Sequence, residues 1–159
     1  MDKLMFSGAA IAPELKEVLA AGGYVSLVVT GFSMRPFLKH NRDVVHLRTW
    51  EKSDLKCGQL LLFQRTKGDF VLHRIRRVLS DGKLLMNGDG QNWCEIISRE
   101  QIVAVVDSVQ RKGSSTSAAS FRFRLWSWFW YPTRPIRPFL FKLGRVLLWR
   151  REKRHGSTD

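Results

Sequence analysis

The stretch QLLLFQRTKGDFVLHRIRRVLSDGKLLMN, residues 59–87, decides the expected fold. It contains three apolar or alternating runs of strand length, which are separated by KGD at 67–69 and by DG at 81–82. Glycine turns between runs with a period of two residues are typical of antiparallel hairpins. The stretch therefore predicts two consecutive tight hairpin turns within an antiparallel sheet.

Three further runs of the same kind lie outside this stretch, at 24–30, 43–47 and 101–109. Residues 12–21 differ, because their apolar side chains recur with helical spacing and the two glycines that follow would end a helix. Short strands without intervening helices favour a coiled antiparallel sheet over alternating strand–helix units. We therefore predict a mainly β protein, a coiled antiparallel sheet or partly closed barrel, with a short N-terminal helix.

The charge of the chain divides it into segments. The 159 residues suit one domain with an appendage, and 44% hydrophobic with 26% charged residues exclude a disordered or fibrous protein. Residues 1–110 carry 15 basic and 12 acidic side chains, whereas residues 111–159 carry 12 basic and 2 acidic ones. We expect a β domain at 1–110, a flexible linker at 111–120, where the sequence is small and polar, and a basic aromatic tail at 121–159.

The tail interleaves aromatic and basic residues, with four of the six tryptophans and 10 basic residues between Arg122 and Arg154. Three prolines break it into two helical pieces, of which the second, 139–150, is amphipathic. This pattern is typical of helices lying at an anionic membrane surface, and we expect residues 121–154 to bind there. A helix that caps the core or docks on another protein is the second interpretation. Single-stranded nucleic acid, which stacking aromatics also bind, is the least favoured.

The remaining features concern cysteines and targeting. Cys57 and Cys94 are too few for a disulfide scaffold and lack the spacing of a zinc site, so we expect free thiols, with a single disulfide as the alternative. The N-terminus lacks the pattern of a secretory signal, and the charge-free segment 18–34 is too short and too polar for a transmembrane helix. These features predict a peripheral membrane protein, bound from the cytoplasmic side.

The segment GFSMRPFL at 31–38 offers the best candidate for a nucleophile, Ser33. A serine needs a base within hydrogen-bond reach to act as a nucleophile at neutral pH. His73 suits this role because it lies in a predicted strand between Val71 and Ile75, where partial desolvation keeps an imidazole neutral. The other histidines are His40, His46 and His155.

An acidic side chain should orient the imidazole, and three candidates follow His73 in the chain. Asp89 lies in the glycine-flanked turn NGDG, Glu95 follows it by six residues, and Asp107 lies in the last predicted strand. The residues alone leave a simpler alternative open, since a histidine in a strand is often structural and an aspartate beside glycine is often a turn former.

The segments GFSMRPFL, GQLLLF, FVLHRIRRV and NGDGQNWCEIISREQIVAVV occur in this order between residues 24 and 107. Together they resemble the type I signal peptidase family and the related self-cleaving repressor domains. The most specific element is the SMxP motif at 33–36, followed by a strand with a basic residue and then by a GD motif. The bacterial branch has a lysine where this chain has His73, so the chain is similar to the endoplasmic-reticulum and archaeal branch.

The resemblance implies a serine peptidase-like β domain with Ser33 as nucleophile, His73 as general base and Asp89 as the acid of the GD motif. Glu95 falls where that branch has a second acidic residue. The amide N–H of Ser33 would bind the oxyanion, and a backbone N–H would supply the second donor, because a glycine stands where some relatives carry a hydroxyl. The residues expected around the oxyanion and the substrate are Gly31, Phe32 and Met34.

The implied substrate is an extended peptide or preprotein that pairs along a strand edge, and the resemblance implies no metal or organic cofactor. The leading hypothesis is a serine endopeptidase that cleaves signal or leader peptides at the membrane surface by acyl transfer. A specialised protease that matures one cytoplasmic precursor is the alternative among enzymes. A non-catalytic β module that binds peptides or membrane is the alternative outside them.

Overall fold

The computed structural model describes residues 12–130, 132–136, 139 and 142. Within these residues the predicted mainly β fold is confirmed as one antiparallel sheet of eight strands that does not close, with a short helix near each end. The helices are α1 (Ala12–Ala20) and α2 (Phe121–Trp130). The strands are β1 (Val25–Val28), β2 (Val44–Arg48), β3 (Leu60–Gln64), β4 (Phe70–Val78), β5 (Leu84–Asn87), β6 (Glu95–Ile97), β7 (Ile102–Arg111) and β8 (Ser114–Ser117).

The strands are ordered β1-β2-β7-β3-β4-β5-β6, and β8 pairs with β7. The long strand β7 joins the two halves of the sheet, because it pairs with β2 along one edge and with β3 and β8 along the other. Both predicted hairpin turns are present, between β3 and β4 and between β4 and β5. Their glycines, Gly68 and Gly82, have φ values of 96° and 80°, a conformation that favours glycine.

The sheet is buried on both faces. Leu60 and Leu62 of β3 belong to a cluster that also holds apolar side chains of α1 and α2. Leu61 and Phe63 point to the other face and pack in a second cluster with side chains of β4, β5 and β6. This double burial explains why the apolar run at 60–63 is continuous rather than alternating.

The expectation of a flexible linker at 111–120 is corrected, because the middle of this segment forms strand β8. Lys112 and Gly113 both have positive φ values, of 47° and 82°, and they reverse the chain so that β8 pairs with the end of β7. The strand is mostly exposed and polar, which is why its sequence has the composition of a linker. The three-residue strand β6 was not predicted either.

The first piece of the tail is the helix α2, whose inner side chains Phe123 and Ser127 are buried against the sheet. This part of the tail therefore caps the core. The second helical piece at 139–150 lies, apart from positions 139 and 142, outside the described residues, as does His155. None of the described helices is long and apolar enough to cross a bilayer. The thiols of Cys57 and Cys94 are free.

Candidate active site

A cleft of about 270 Å³ lies between β1 and the first half of β4, and most of its lining residues are apolar. In the described part of the chain, no strand pairs with the outer edge of β1, and β5 pairs with β4 only from Arg74 onward. The strand edges bordering the cleft thus have backbone groups that could pair with an extended peptide. The polar residues lining the cleft are Thr30, Ser33, Arg65, His73 and Gln91.

His73 lies on β4 with its side chain only 1% exposed. Its ring centroid is 5.9 Å from that of Phe63 and 6.2 Å from that of Trp93. Burial lowers the pKa of the imidazole from 6.5 to about 4, and the nearby Glu95 carboxylate opposes this shift without cancelling it. The ring is therefore neutral at pH 7, which is the protonation state that a general base requires.

Glu95, at the start of β6, lies behind the ring. Its Oε1 atom is 3.0 Å from Nδ1 of His73, an ion-pair distance without the geometry of a hydrogen bond. Burial raises the pKa of the Glu95 carboxyl, but two hydrogen bonds of 2.7 and 2.8 Å from Arg65 and its charge outweigh this and hold the pKa below its usual range. Glu95 is therefore an anion at neutral pH and would stabilise a proton gained by His73.

Ser33 is held by the loop at 88–90. The N–H of Gly90 donates a 2.7 Å hydrogen bond to the carbonyl oxygen of Ser33. Gly88 lies so close that a Cβ atom at this position would be 2.6 Å from the same oxygen and 2.9 Å from Nε2 of His73. The backbone of Ser33 and the ring of His73 are therefore near neighbours across Gly88.

Ser33 and His73 line the same cleft, so the structure brings the two predicted catalytic residues together. Nε2 of His73 faces the loop that holds Ser33, and Nδ1 faces Glu95. No hydrogen bond joins the Ser33 hydroxyl to the ring, and the described residues offer the buried Nε2 no hydrogen-bond partner. Catalytic hydrogen bonds are often long without substrate and shorten in the complex. Among the described residues the amide N–H of Ser33 has no acceptor, so it can donate to an oxyanion.

Asp89 takes a different position from the one expected, since it is fully buried among arginines. Arg74 donates to its carboxylate at 3.1 and 2.7 Å, and Arg76 donates at 3.0 Å. Side chains alternate between the faces of a strand, so the guanidinium group of Arg74 leaves β4 on the face opposite the imidazole of its neighbour His73. Arg76 lies at an irregularity in the pairing of β4 with β5 and donates to the same carboxylate. The carboxylate that contacts His73 is that of Glu95, and Asp89 instead compensates two buried positive charges.

The other expected site residues are spread more widely. Asp107 lies 3.5 Å from Arg48 and does not line the cleft. Met34 is buried and lines the cleft. The N–H of Gly31 donates to Nδ1 of His40 at 2.9 Å, so it is already engaged. Phe32 is exposed, and the guanidinium of Arg35 lies 4.3 Å from its ring centroid.

A second serine–histidine pair spans β1 and β2. The hydroxyl of Ser26 lies 2.8 Å from Nδ1 of His46, its partner in the strand register. Neither residue lines the cleft. This pair has the same two residue types as Ser33 and His73 in the same sheet, and it therefore provides a matched control.

Helix α2 has two apolar faces. On the inner face, the rings of Phe123 and Trp126 lie 4.7 and 5.5 Å from the ring of Phe37. The opposite face carries large apolar side chains that recur with helical spacing and remain exposed, and Trp128 is 71% exposed. These outer residues are Phe121, Leu125, Trp128 and Phe129, and Ile136 and Phe139 beyond the helix are exposed as well.

Sequence reasoning missed Arg65 and the contacts of α2 with the site. Arg65 follows β3 and is 30 residues from Glu95, so no local pattern connects them. The indole N–H groups of Trp126 and Trp130 donate to Asp89, a contact between residues about 40 positions apart that no local pattern indicated. The described residues contain no cluster of His, Cys, Asp and Glu suited to a metal ion.

The cleft thus combines a hydroxyl, a neutral imidazole and a carboxylate behind the ring, which are the groups used in acyl transfer by serine enzymes. Comparisons of this chain with protein-family models, with curated proteins and with solved structures found no match.

Proposed function

We propose that this protein is a serine endopeptidase of the signal-peptidase type that cleaves extended segments such as signal or leader peptides. The observation that carries the proposal is the position of Ser33 and His73 at one cleft, against the same glycine, with Glu95 behind the ring. The open edges of β1 and β4 suit an extended peptide, because main-chain pairing does not depend on sequence.

The reaction proceeds by acyl transfer. The hydroxyl oxygen of Ser33 attacks the scissile carbonyl while Nε2 of His73 accepts the hydroxyl proton, and the N–H of Ser33 binds the oxyanion. Glu95 stabilises the imidazolium that forms. The C–N bond then breaks as His73 returns the proton to the leaving amine. Water, deprotonated by His73, hydrolyses the ester on Ser33 and restores the hydroxyl.

The test uses the full chain and an internally quenched peptide library with small residues before the scissile bond. Ser33→Ala and His73→Gln should each lower kcat/KM by roughly 10⁴-fold or more, because the nucleophile and base act as a unit. Ser26→Ala and His46→Gln form the matched control and should leave cleavage unchanged. Retained cleavage in Ser33→Ala would contradict the proposal. Peptide binding without cleavage by the wild type would favour the non-catalytic β module instead.

We further propose that α2 seats the protein on an anionic membrane surface as a peripheral protein. The outer face of α2 exposes large apolar and aromatic side chains, and its ten residues include two arginines and no acidic residue. Exposed large apolar side chains in a helix whose charged residues are all cationic suit the interface of an anionic bilayer. Nucleic acid remains the less favoured partner, because bulky apolar side chains dominate this face.

Vesicle cosedimentation tests this second proposal. The double variant Phe121→Ser/Trp128→Ser should bind phosphatidylserine-containing vesicles about tenfold more weakly, because each change removes an aromatic side chain that would leave water. Tyr24→Ser, which removes an exposed aromatic ring far along the chain from α2, should bind like the wild type. Equal binding by both variants would contradict the assignment of this face to lipid.

A further inference from the structure

Helix α2 contacts the loop at 88–90 through two indole groups. Nε1 of Trp126 donates to the carboxylate of Asp89 at 3.3 Å, and Nε1 of Trp130 donates to its backbone carbonyl at 2.6 Å. The two indole rings are stacked, with centroids 5.2 Å apart and an angle of 18° between their planes. The inner face of α2 is thus bound to one residue by two directed hydrogen bonds.

That residue lies between the two glycines that border the catalytic groups. Gly90 donates to the carbonyl oxygen of Ser33, and Gly88 packs against the same oxygen and against Nε2 of His73. If Asp89 were displaced, Gly88 and Gly90 on either side of it would move, and both contact the reacting groups. A continuous series of contacts therefore connects α2 with Ser33 and His73 through Asp89 and its neighbouring glycines.

Core packing alone does not account for the bond from Trp130. A phenylalanine would fill most of the same space against the sheet, whereas only the indole N–H can donate to the Asp89 carbonyl. The carboxylate of Asp89 is already compensated by Arg74 and Arg76, so the tryptophans are not required for its charge. The indole N–H groups instead fix the position of the loop backbone.

We propose that Trp126 and Trp130 are positioning residues that hold the loop at 88–90, and through it the spacing between Ser33 and His73. This inference rests on the proposed peptidase function. It also connects the two proposals, since the same ten-residue helix holds the loop with its inner face and presents its outer face to the membrane.

The experiment compares Trp126→Phe and Trp130→Phe with Tyr24→Phe, which removes a ring-borne donor from an exposed residue that does not line the cleft, all in the full chain. Trp126→Phe and Trp130→Phe, the inner variants, should each lower kcat for the quenched peptide library about tenfold and change KM less than about twofold. The reason is that a sub-ångström misplacement of the reacting groups lowers the rate of the chemical step without weakening substrate binding much. In parallel, the titration of His73 is followed by NMR of ¹³C-labelled histidine. Its pKa should rise from about 4 toward 6.5 in the inner variants, since a displaced loop admits water to Nε2.

Tyr24→Phe should change neither kcat nor the His73 titration. If the inner variants lower the melting temperature but leave kcat and the titration unchanged, Trp126 and Trp130 only pack and the inference is overturned. If the wild type cleaves no peptide while the titration still moves, the peptidase proposal fails and the positioning role stands. Should either phenylalanine variant not fold, 3-benzothienylalanine at position 130, which replaces the N–H by sulfur in a ring of the same shape, gives the same comparison.

Discussion

Gly88→Ala is expected to move the two proposed catalytic residues, Ser33 and His73, apart. The Cβ atom of alanine would stand 2.6 Å from the carbonyl oxygen of Ser33, a backbone atom that cannot rotate away. It would also stand 2.9 Å from Nε2 of His73. Gly88 does not have a positive φ, so alanine meets no conformational obstacle at this position. The contact itself is therefore the cause of any effect.

The magnitude follows from the displacement that relieves this contact. Restoring an ordinary van der Waals separation requires Ser33 and the loop to move apart by somewhat less than about 1 Å, and a misplacement of this size costs about 10²-fold in rate. A loss of 10²-fold in kcat/KM corresponds to about 2.7 kcal/mol of transition-state stabilisation. Overpacking should lower the free energy of unfolding by about 1 to 3 kcal/mol.

Quenched-peptide kinetics and urea denaturation measure the two effects on the same preparations. Gly68→Ala is the control, because no described residue lies within 4 Å of its Cβ while its φ of 96° still strains an alanine. It should lose stability comparably, by about 1 kcal/mol, and keep full activity. Full activity in Gly88→Ala would refute the geometry that places Ser33 and His73 on either side of this glycine.

Three further predictions concern the charges around the ring. His73 has a folded pKa of about 4 and an unfolded pKa of 6.5, so its neutral form contributes stability that is complete above pH 6.5 and is lost as the pH falls toward 4. Urea denaturation should therefore show about 3 kcal/mol more loss between pH 7 and 4 in the wild type than in His73→Gln, and equal losses would contradict the burial of a neutral ring. Glu95→Gln should lower kcat roughly 10²-fold or more while Asp107→Asn, its matched control, changes nothing in the same peptide assay; the opposite ranking would reassign the acid. Asp89→Asn should lower the free energy of unfolding by about 3 to 5 kcal/mol, because it leaves two buried guanidinium groups without an anion, and an unchanged melting temperature would show that water compensates them.

The sheet could be predicted because it leaves local signals, whereas the pairing of Ser33 with His73 was expected from the resemblance carried by GFSMRPFL and FVLHRIRRV. Glycine turns and strand-length apolar runs located the six main strands to within a few residues. Two strands were missed, the three-residue β6 and β8. Strand β8 is polar and exposed, so its sequence has the composition of a linker. Only the positive φ values at 112 and 113 turn the chain back so that β8 pairs with β7. Local composition does not reveal a pairing of this kind.

The acidic partner could not be chosen from the sequence because two distant arginines decide it. Asp89 and Glu95 are both acidic residues downstream of His73, and their spacing along the chain does not distinguish them. Their roles separate only when alternation along β4 places Arg74 on one face and His73 on the other, and when Arg65 arrives at Glu95 from another hairpin. The contact of α2 with Asp89 is of the same long-range kind.

The strand edges beside the cleft, which no described strand pairs with, restrict what can enter it. A segment already in a helix or a sheet has committed its own amide and carbonyl groups, so it has none to share with β1 or β4. Only an extended segment without secondary structure has unpaired backbone amide and carbonyl groups and is narrow enough to lie in the cleft. In the proposed peptidase, this geometry would therefore admit an unfolded leader and spare folded neighbours, and discrimination of this kind needs no recognition of sequence.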